Sequence, residues 1–269
     1  MAEQQFNVTD AARDYREKMK PNSVGSLSRT DPEFAAIIEN FAFDQVVNGT
    51  DLDDRRRYLC IIASLMGIQA RDTFQMVVEA ALNFGVEAVE IKEVIYQATA
   101  YLGIGRTIHF VATANEVFEK KGITLPLESQ QTVTGAERLN AGNAVQVQVF
   151  GEAIRDSWMK GPEDRRYINK LLAENCFGDY YTRNGLSLAD REMVTFCYIV
   201  AQGGCHPQAI QHAIGNLKIG NSKELLYSIV VNLVPYIGYP RALNGLAAID
   251  NAANAIFEDE QEKRAASKF

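Results

Sequence analysis

The sequence predicts an all-α protein made of two tandem copies of one helical unit, and three observations carry the prediction. Segments recur at a fixed distance: ENFAFD at 39–44 and ENCFGD at 174–179, then YLGIGR at 101–106 and YIGYPR at 236–241, are each displaced by 135 residues (39 to 174, 101 to 236). Between them, Gly49, Leu52 and Arg55 match Gly185, Leu188 and Arg191 one residue further on, which marks a small indel. Apolar residues recur at helical intervals between glycine stops, and strand-like alternation and hairpin dipeptides are scarce.

The first copy opens with a helix in VTDAARDYREKMK, followed by DLDDRRRYLCIIASLMG, ARDTFQMVVEAALNFG and AVEIKEVIYQATAYLG. A stretch rich in Gly, Ser, Thr, Gln and Asn, KGITLPLESQQTVTGAERLNAGNA, reads as the linker. VQVQVFGEAIRDSWMKGPEDRR then begins the second copy with a helix. In SLADREMVTFCYIVAQGG, Ser187 and Asp190 have the spacing of a capping box, and Gly203 and Gly204 end the helix. HPQAIQHAIGNLKIG has Pro207 near its start, where the missing donor costs little. SKELLYSIVVNLVPYIG is stopped by Gly238, with Pro240 beyond. The expected organisation is a first repeat over 1–120, a linker over 121–144 and a second repeat over 145–269.

Composition restricts the function classes. The hydrophobic share of 47% and charged share of 23% are those of a globular chain. A net charge of -7 and a pI near 5.1 provide no footprint for nucleic acid or anionic lipid. The leading residues are polar, and no apolar run is long enough to cross a bilayer, so neither partner is expected and a cytoplasmic location is. The four cysteines, Cys60, Cys176, Cys197 and Cys205, are scattered without a CxxC pair. Reduced thiols are expected and structural zinc is not. With no phosphate-cradling loop, metal-ligand cluster or haem motif, no cofactor and no metal are expected.

Chemistry concentrates in AQGGCHPQAIQH, residues 201–212. A thiol is a useful nucleophile as thiolate, a form that a nearby histidine or a helix N-terminus favours. Cys205 precedes the helix that Pro207 opens, and His212 lies further along that helix, so their contact depends on how the Gly203–Gly204 turn folds back. Depending on the indel, the first copy offers Ile68, Gln69 or Ala70 in place of Cys205, and Gln75, Met76 or Val77 in place of His212. None can do thiol or imidazole chemistry. Cys60 and Cys197, among aliphatics, read as core, His206 as an exposed turn residue, and His109 as a partly buried helix residue. Arg106, Arg241, Tyr101 and Tyr236 recur in both copies and read as structural. Cys176, in a turn-like stretch, is the one other thiol that could meet Cys205.

The repeated order of charged-start helix, turn with cysteine, histidine on the next helix and a closing helix in YIGYPRALNGL resembles the carboxymuconolactone decarboxylase family, which includes the alkyl hydroperoxidase D-like proteins. The resemblance runs from about Asp31 to Asn254, apart from the linker, and implies helical units that assemble into rings, so a homo-oligomer is expected, a trimer before a dimer. The hydroperoxidase branch carries CxxCxxxH with an acidic residue twelve positions before the first cysteine. Cys205 and His212 match the first cysteine and the histidine, and Gln208 takes the second cysteine's place. Glu192 lies thirteen positions before Cys205, one off the pattern, where Met193 holds the expected place; otherwise it reads as a first-turn acid of its helix.

Three functions are compatible with these residues. A decarboxylase or lactone-processing enzyme would use His212 and Glu192 to move protons on a small-molecule substrate. A single-cysteine peroxidase or thiol oxidoreductase would use Cys205, with a resolving thiol or thiol reductant. A non-catalytic ring-forming binding protein is the third. The first is the leading expectation, because a two-thiol cycle within the motif is impossible.

Overall fold

The computed structural model describes residues 7–19 and 27–266 of the chain. The polar residues 1–6, on which the expectation of no secretory leader partly rests, lie outside the described residues. No strand occurs among the described residues, and no helix there is long and apolar enough to cross a membrane.

The longer helices of the first unit are α1 (Asp10–Met19), α2 (Pro32–Asn40), α3 (Asp54–Gly67), α4 (Arg71–Asn83), α5 (Ala88–Leu102) and α6 (Ile104–Lys120). The second unit repeats them with α7 (Glu137–Phe150), α8 (Glu163–Leu171), α9 (Leu188–Gln202), α10 (His206–Lys218) and α11 (Lys223–Ala266). The last of these is interrupted at Gly238, with φ 76° and ψ 161°. Gly103, between α5 and α6, has nearly the same φ of 78° and ψ of 154°, so the two copies share one glycine-dependent break. Both copies also carry a π-helical turn in the repeated ENxxxD stretch, Phe41–Gln45 after α2 and Leu172–Tyr181 after α8.

The central helices α3 and α9 pack against each other and are buried along most of their lengths, as befits helices apolar on nearly every face. Their starts are fixed by caps. Asp53 accepts from the Arg56 backbone N–H at 2.9 Å, and Ser187 accepts from the Asp190 N–H at 3.1 Å while donating to the Asp190 carboxylate at 2.8 Å. Helix α5 of the first unit packs on α9 of the second, and α11 packs on α3. The units are therefore reciprocally wrapped around one core, to which both contribute.

Two expectations change. Helix α7 begins at Glu137, inside the stretch read as a linker over 121–144. Its buried positions are Gly142, Asn143, Gln146 and Val149, with one aliphatic among them, so its inward face carries little apolar period to read. A Cβ at Gly142 would lie 1.9 Å from the Ala173 carbonyl oxygen, so α7 meets the π-helical segment backbone to backbone. His109 is exposed rather than partly buried, because the inward positions of α6 fall at Thr107, Phe110, Ala114 and Val117.

Candidate active site

The turn after α9 sets the site. Gly203 and Gly204 both adopt positive φ (72° and 73°), which lets α9 end and α10 start within three residues, with Cys205 as the N-cap position of α10. The N-terminus of α10 thereby folds back beside α9. His212, two turns into α10, meets Glu192, one turn into α9, with its Nδ1 2.9 Å from Glu192 Oε2. The helical offset of one residue from the hydroperoxidase spacing does not prevent this contact. Glu192 is completely buried, not a solvated first-turn acid.

Donors around Glu192 can be assigned in sequence. Arg191 Nη1 donates to Gln97 Oε1 at 2.9 Å, which leaves Gln97 Nε2 to donate to Thr195 Oγ1 at 2.8 Å. Thr195 then passes its own hydrogen to the Tyr181 oxygen (2.7 Å), Tyr101 does the same (2.8 Å), and Tyr181 donates to Glu192 Oε1 at 2.8 Å. Cys176 donates to the Tyr101 oxygen at 3.5 Å. Both carboxyl oxygens of Glu192 are thus acceptors, one from Tyr181 and one from the His212 Nδ1–H. The neutral imidazole is held in the tautomer whose Nε2 carries the lone pair.

Burial pushes the Tyr101 and Tyr181 phenols well above their ordinary value and the Cys176 thiol up to about 12. These groups stay protonated near neutrality and serve as donors. Behind them the fully buried Arg191 is paired with Glu93 at 3.0 Å and donates to the Arg183 and Asn184 carbonyls, tying the end of the Tyr181 segment to α5. Asn216 donates to the backbone carbonyls of both Glu192 and His212, locking α9 and α10 together at the dyad. One turn after His212, Gly215 leaves room for the carboxylate: a Cβ there would lie 2.6 Å from Glu192 Oε2.

His212 forms one wall of a cavity of about 470 Å³, with its ring edge-on to Tyr101 and Phe150 at centroid distances of 5.4 and 5.7 Å. Cys205 and Cys176 line the same cavity. All three residues singled out from the sequence therefore converge, Cys205 and His212 on the cavity and Glu192 directly behind the imidazole. Cys60 and Cys197 are buried in the core, and His206 is exposed at the first position of α10. Among the described residues no group of three His, Cys, Asp or Glu side chains is arranged to hold a metal ion.

Tyr101, Gln97, Tyr181 and Thr195 were not distinguished by the sequence. Tyr101 recurs as Tyr236, a recurrence that reads as structural, yet its hydroxyl belongs to the network behind His212. The reason is the reciprocal wrapping, in which α5 of the first unit supplies a wall to the second unit's site. Arg106 does reach the neighbouring unit, where its Nη1 lies 3.5 Å from Gln202 Oε1.

Comparison with known proteins agrees with this architecture. The chain is 31% identical over 107 residues, 40% of its length and 80% of the relative's, to 4-carboxymuconolactone decarboxylase of Acinetobacter baylyi (strain ATCC 33305 / BD413 / ADP1). It is similar in fold, with a TM-score of 0.56 at 18% identity, to a crystal structure assigned as a gamma-carboxymuconolactone decarboxylase subunit from Burkholderia xenovorans LB400, covering 96% of this chain and 100% of that one. The family model described as carboxymuconolactone decarboxylase matches twice, over residues 32–116 and 168–251. With two matches that together span more than half of its length and fall on the two helical units, the chain belongs to the carboxymuconolactone decarboxylase family.

Proposed function

We propose that the protein is a decarboxylase-like enzyme that moves a proton at the carbon next to a carbonyl group of a small carboxylated or lactone substrate, with His212 Nε2 as the acid and base and Glu192 as the group that orients it. The single observation behind this reading is the 2.9 Å contact between His212 Nδ1 and a fully buried carboxylate, in the wall of a largely apolar cavity. Loss of carbon dioxide and loss of a proton both leave an enolate, and an imidazole placed beside the carbon serves either reaction.

A second reading, a thiol peroxidase using Cys205, draws on a separate observation: Cys205 shares the cavity with His212 and with Cys176, a candidate resolving thiol. The test runs two assays on the wild type, Cys205→Ser and His212→Ala: carbon dioxide release or α-deuterium exchange from muconolactone-type acids and lactones, and peroxide turnover with a dithiol. Proton transfer requires exchange to survive Cys205→Ser and to vanish in His212→Ala. Peroxide turnover that is lost in Cys205→Ser, without exchange in the wild type, replaces the first reading by the second. A homo-oligomer, a trimer in preference to a dimer, forms part of the proposal. Support comes from exposed apolar pairs at matching positions of the two units, Ile104 with Ile108 and Tyr239 with Leu243.

A further inference from the structure

The cavity walls bear on what kind of molecule they enclose. Among the described residues, no lysine or arginine lines it. Two cations are hydrogen-bonded to lining residues, Arg106 through Gln202 Oε1 and Lys218 through the Phe150 carbonyl; both are exposed, and neither side chain lines the cavity. Arg241 belongs to a much smaller pocket on the other side of Cys205. Directly behind the imidazole, one hydrogen bond away, lies a carboxylate, that of Glu192. A substrate carboxylate brought here would give up water and find no lysine or arginine on the walls, with a second carboxylate behind His212.

The walls offer apolar surface, from Phe150, Ile154, Leu172, Phe177 and Ile199, together with a few amides. One amide is oriented. Asn143 Oδ1 accepts from the Asp156 backbone N–H at 3.1 Å, which makes Asn143 Nδ2 the donor to Gln146 Oε1, also at 3.1 Å. Gln146, 3% exposed and lining the cavity, is left with its Nε2 hydrogens as donors for a ligand oxygen.

We propose that the cavity takes an uncharged, largely apolar carbonyl compound, a lactone or ketone, and not a polycarboxylate, with Gln146 Nε2 donating to the carbonyl oxygen. The proposal rests on the proton-transfer reading of His212 and selects one of its two substrate kinds. In the step itself, the α C–H bond breaks and its proton goes to His212 Nε2. The electron pair forms the enolate C=C bond as the carbonyl π pair moves to the oxygen held by Gln146. Return of the same proton completes an exchange that needs no other reactant.

Isothermal titration with γ-octalactone and with its twin carrying a carboxylate in place of the terminal methyl tests the assignment on the full chain. The expected result is at least tenfold tighter binding of γ-octalactone to the wild type, about tenfold weaker binding to Gln146→Leu, and a gap narrowed about tenfold in Gln208→Arg, which adds a cation to the wall. Equal or tighter binding of the carboxylated twin overturns the proposal, as does the absence of γ-octalactone binding at millimolar concentration. The wild-type comparison decides the matter even where a variant fails to fold. Deuterium exchange at the α carbon of each compound is read separately. A lactone that binds selectively without exchanging removes the proton-transfer reading and leaves the substrate class, whereas exchange with tighter binding of the twin does the reverse.

Discussion

The two units of the chain place different side chains at equivalent points of one scaffold. The structural counterpart of Arg191 is Arg57 and not Arg55, since Arg57 donates to Asn232 as Arg191 donates to Gln97; in that register Glu192, five residues after the cap of α9 at Ser187, corresponds to Tyr58, five after the cap of α3 at Asp53. His212 follows the α10 cap, Cys205, by seven residues, as Val77 follows the α4 cap, Ala70. In the second unit these positions carry a buried carboxylate, an imidazole and a thiol around a cavity. In the first, Tyr58 is 1% exposed and packs with Phe84 at a centroid distance of 4.9 Å, while Tyr15 stacks between Phe84 and Phe43. Aromatic packing stabilises that copy, while the polar copy keeps a space and a buried charge that only hydrogen bonds compensate. The difference shows that the helical scaffold does not depend on the site, because burial around α3 and α9 holds both copies whichever set of residues occupies these points.

The comparison is broken most severely at the carboxylate. In Glu192→Gln, Tyr181 would donate to the amide oxygen and leave the NH2 facing His212 Nδ1, which forces the ring into the tautomer with a hydrogen on Nε2. We expect proton exchange to fall by a factor on the order of 10²–10⁴, in line with the cost of a wrong tautomer in other His–carboxylate sites. Steady-state exchange rates beside an unchanged circular dichroism spectrum would check this, and activity within threefold of wild type would remove Glu192 from the mechanism.

A smaller break is steric. Gly215→Ala would gain up to about 1 kcal/mol of helix propensity in an ordinary position. Here the new methyl would lie 2.6 Å from Glu192 Oε2 and 3.0 Å from both Phe150 and Val149 side chains. Overpacking of this kind costs about 1–3 kcal/mol, so the clash outweighs propensity. Denaturant melts should show a net loss of stability together with reduced exchange, and a stabilised variant would show that the carboxylate can move away freely.

The smallest effect belongs to the aromatic copy and appears in alkali. Burial raises the Tyr15 phenol from its ordinary value near 10 to about 12 and raises Tyr58 further. Folding then keeps protons that the unfolded chain releases, so this contribution is intact below pH 10 and is lost as pH rises from 10 towards 12. Tyr15→Phe should flatten the fall in thermal midpoint over that range while leaving the midpoint at pH 7 within a few degrees. An identical alkaline slope in both proteins would show that Tyr15 does not carry the effect.

Much of this architecture is written in local sequence signals. The 135-residue recurrence, the caps at Asp53 and Ser187 and the glycine stops at Gly103, Gly203 and Gly238 each act through the residue itself or its near neighbours, so they can be read without knowing what packs against them. Cys205 and His212 are legible for the same reason, being seven residues apart at the cap and on the second turn of one helix. Only the end of helix α7, in VQVQVF, was legible; its start was not, because it packs through Gly142 and the buried amide of Asn143 against a backbone that the sequence does not place beside it. Tyr101, Gln97 and Tyr181 were hidden by another route. They converge on Glu192 from a different repeat and a π-helical turn, at sequence separations of up to 98 residues within the network. The sequence by itself determined the helices, their duplication and the candidate pair. Only tertiary packing decided which carboxylate faces the imidazole, which tautomer it holds and which repeat completes the cavity, because those depend on the crossing of helices whose contacts leave no period along the chain.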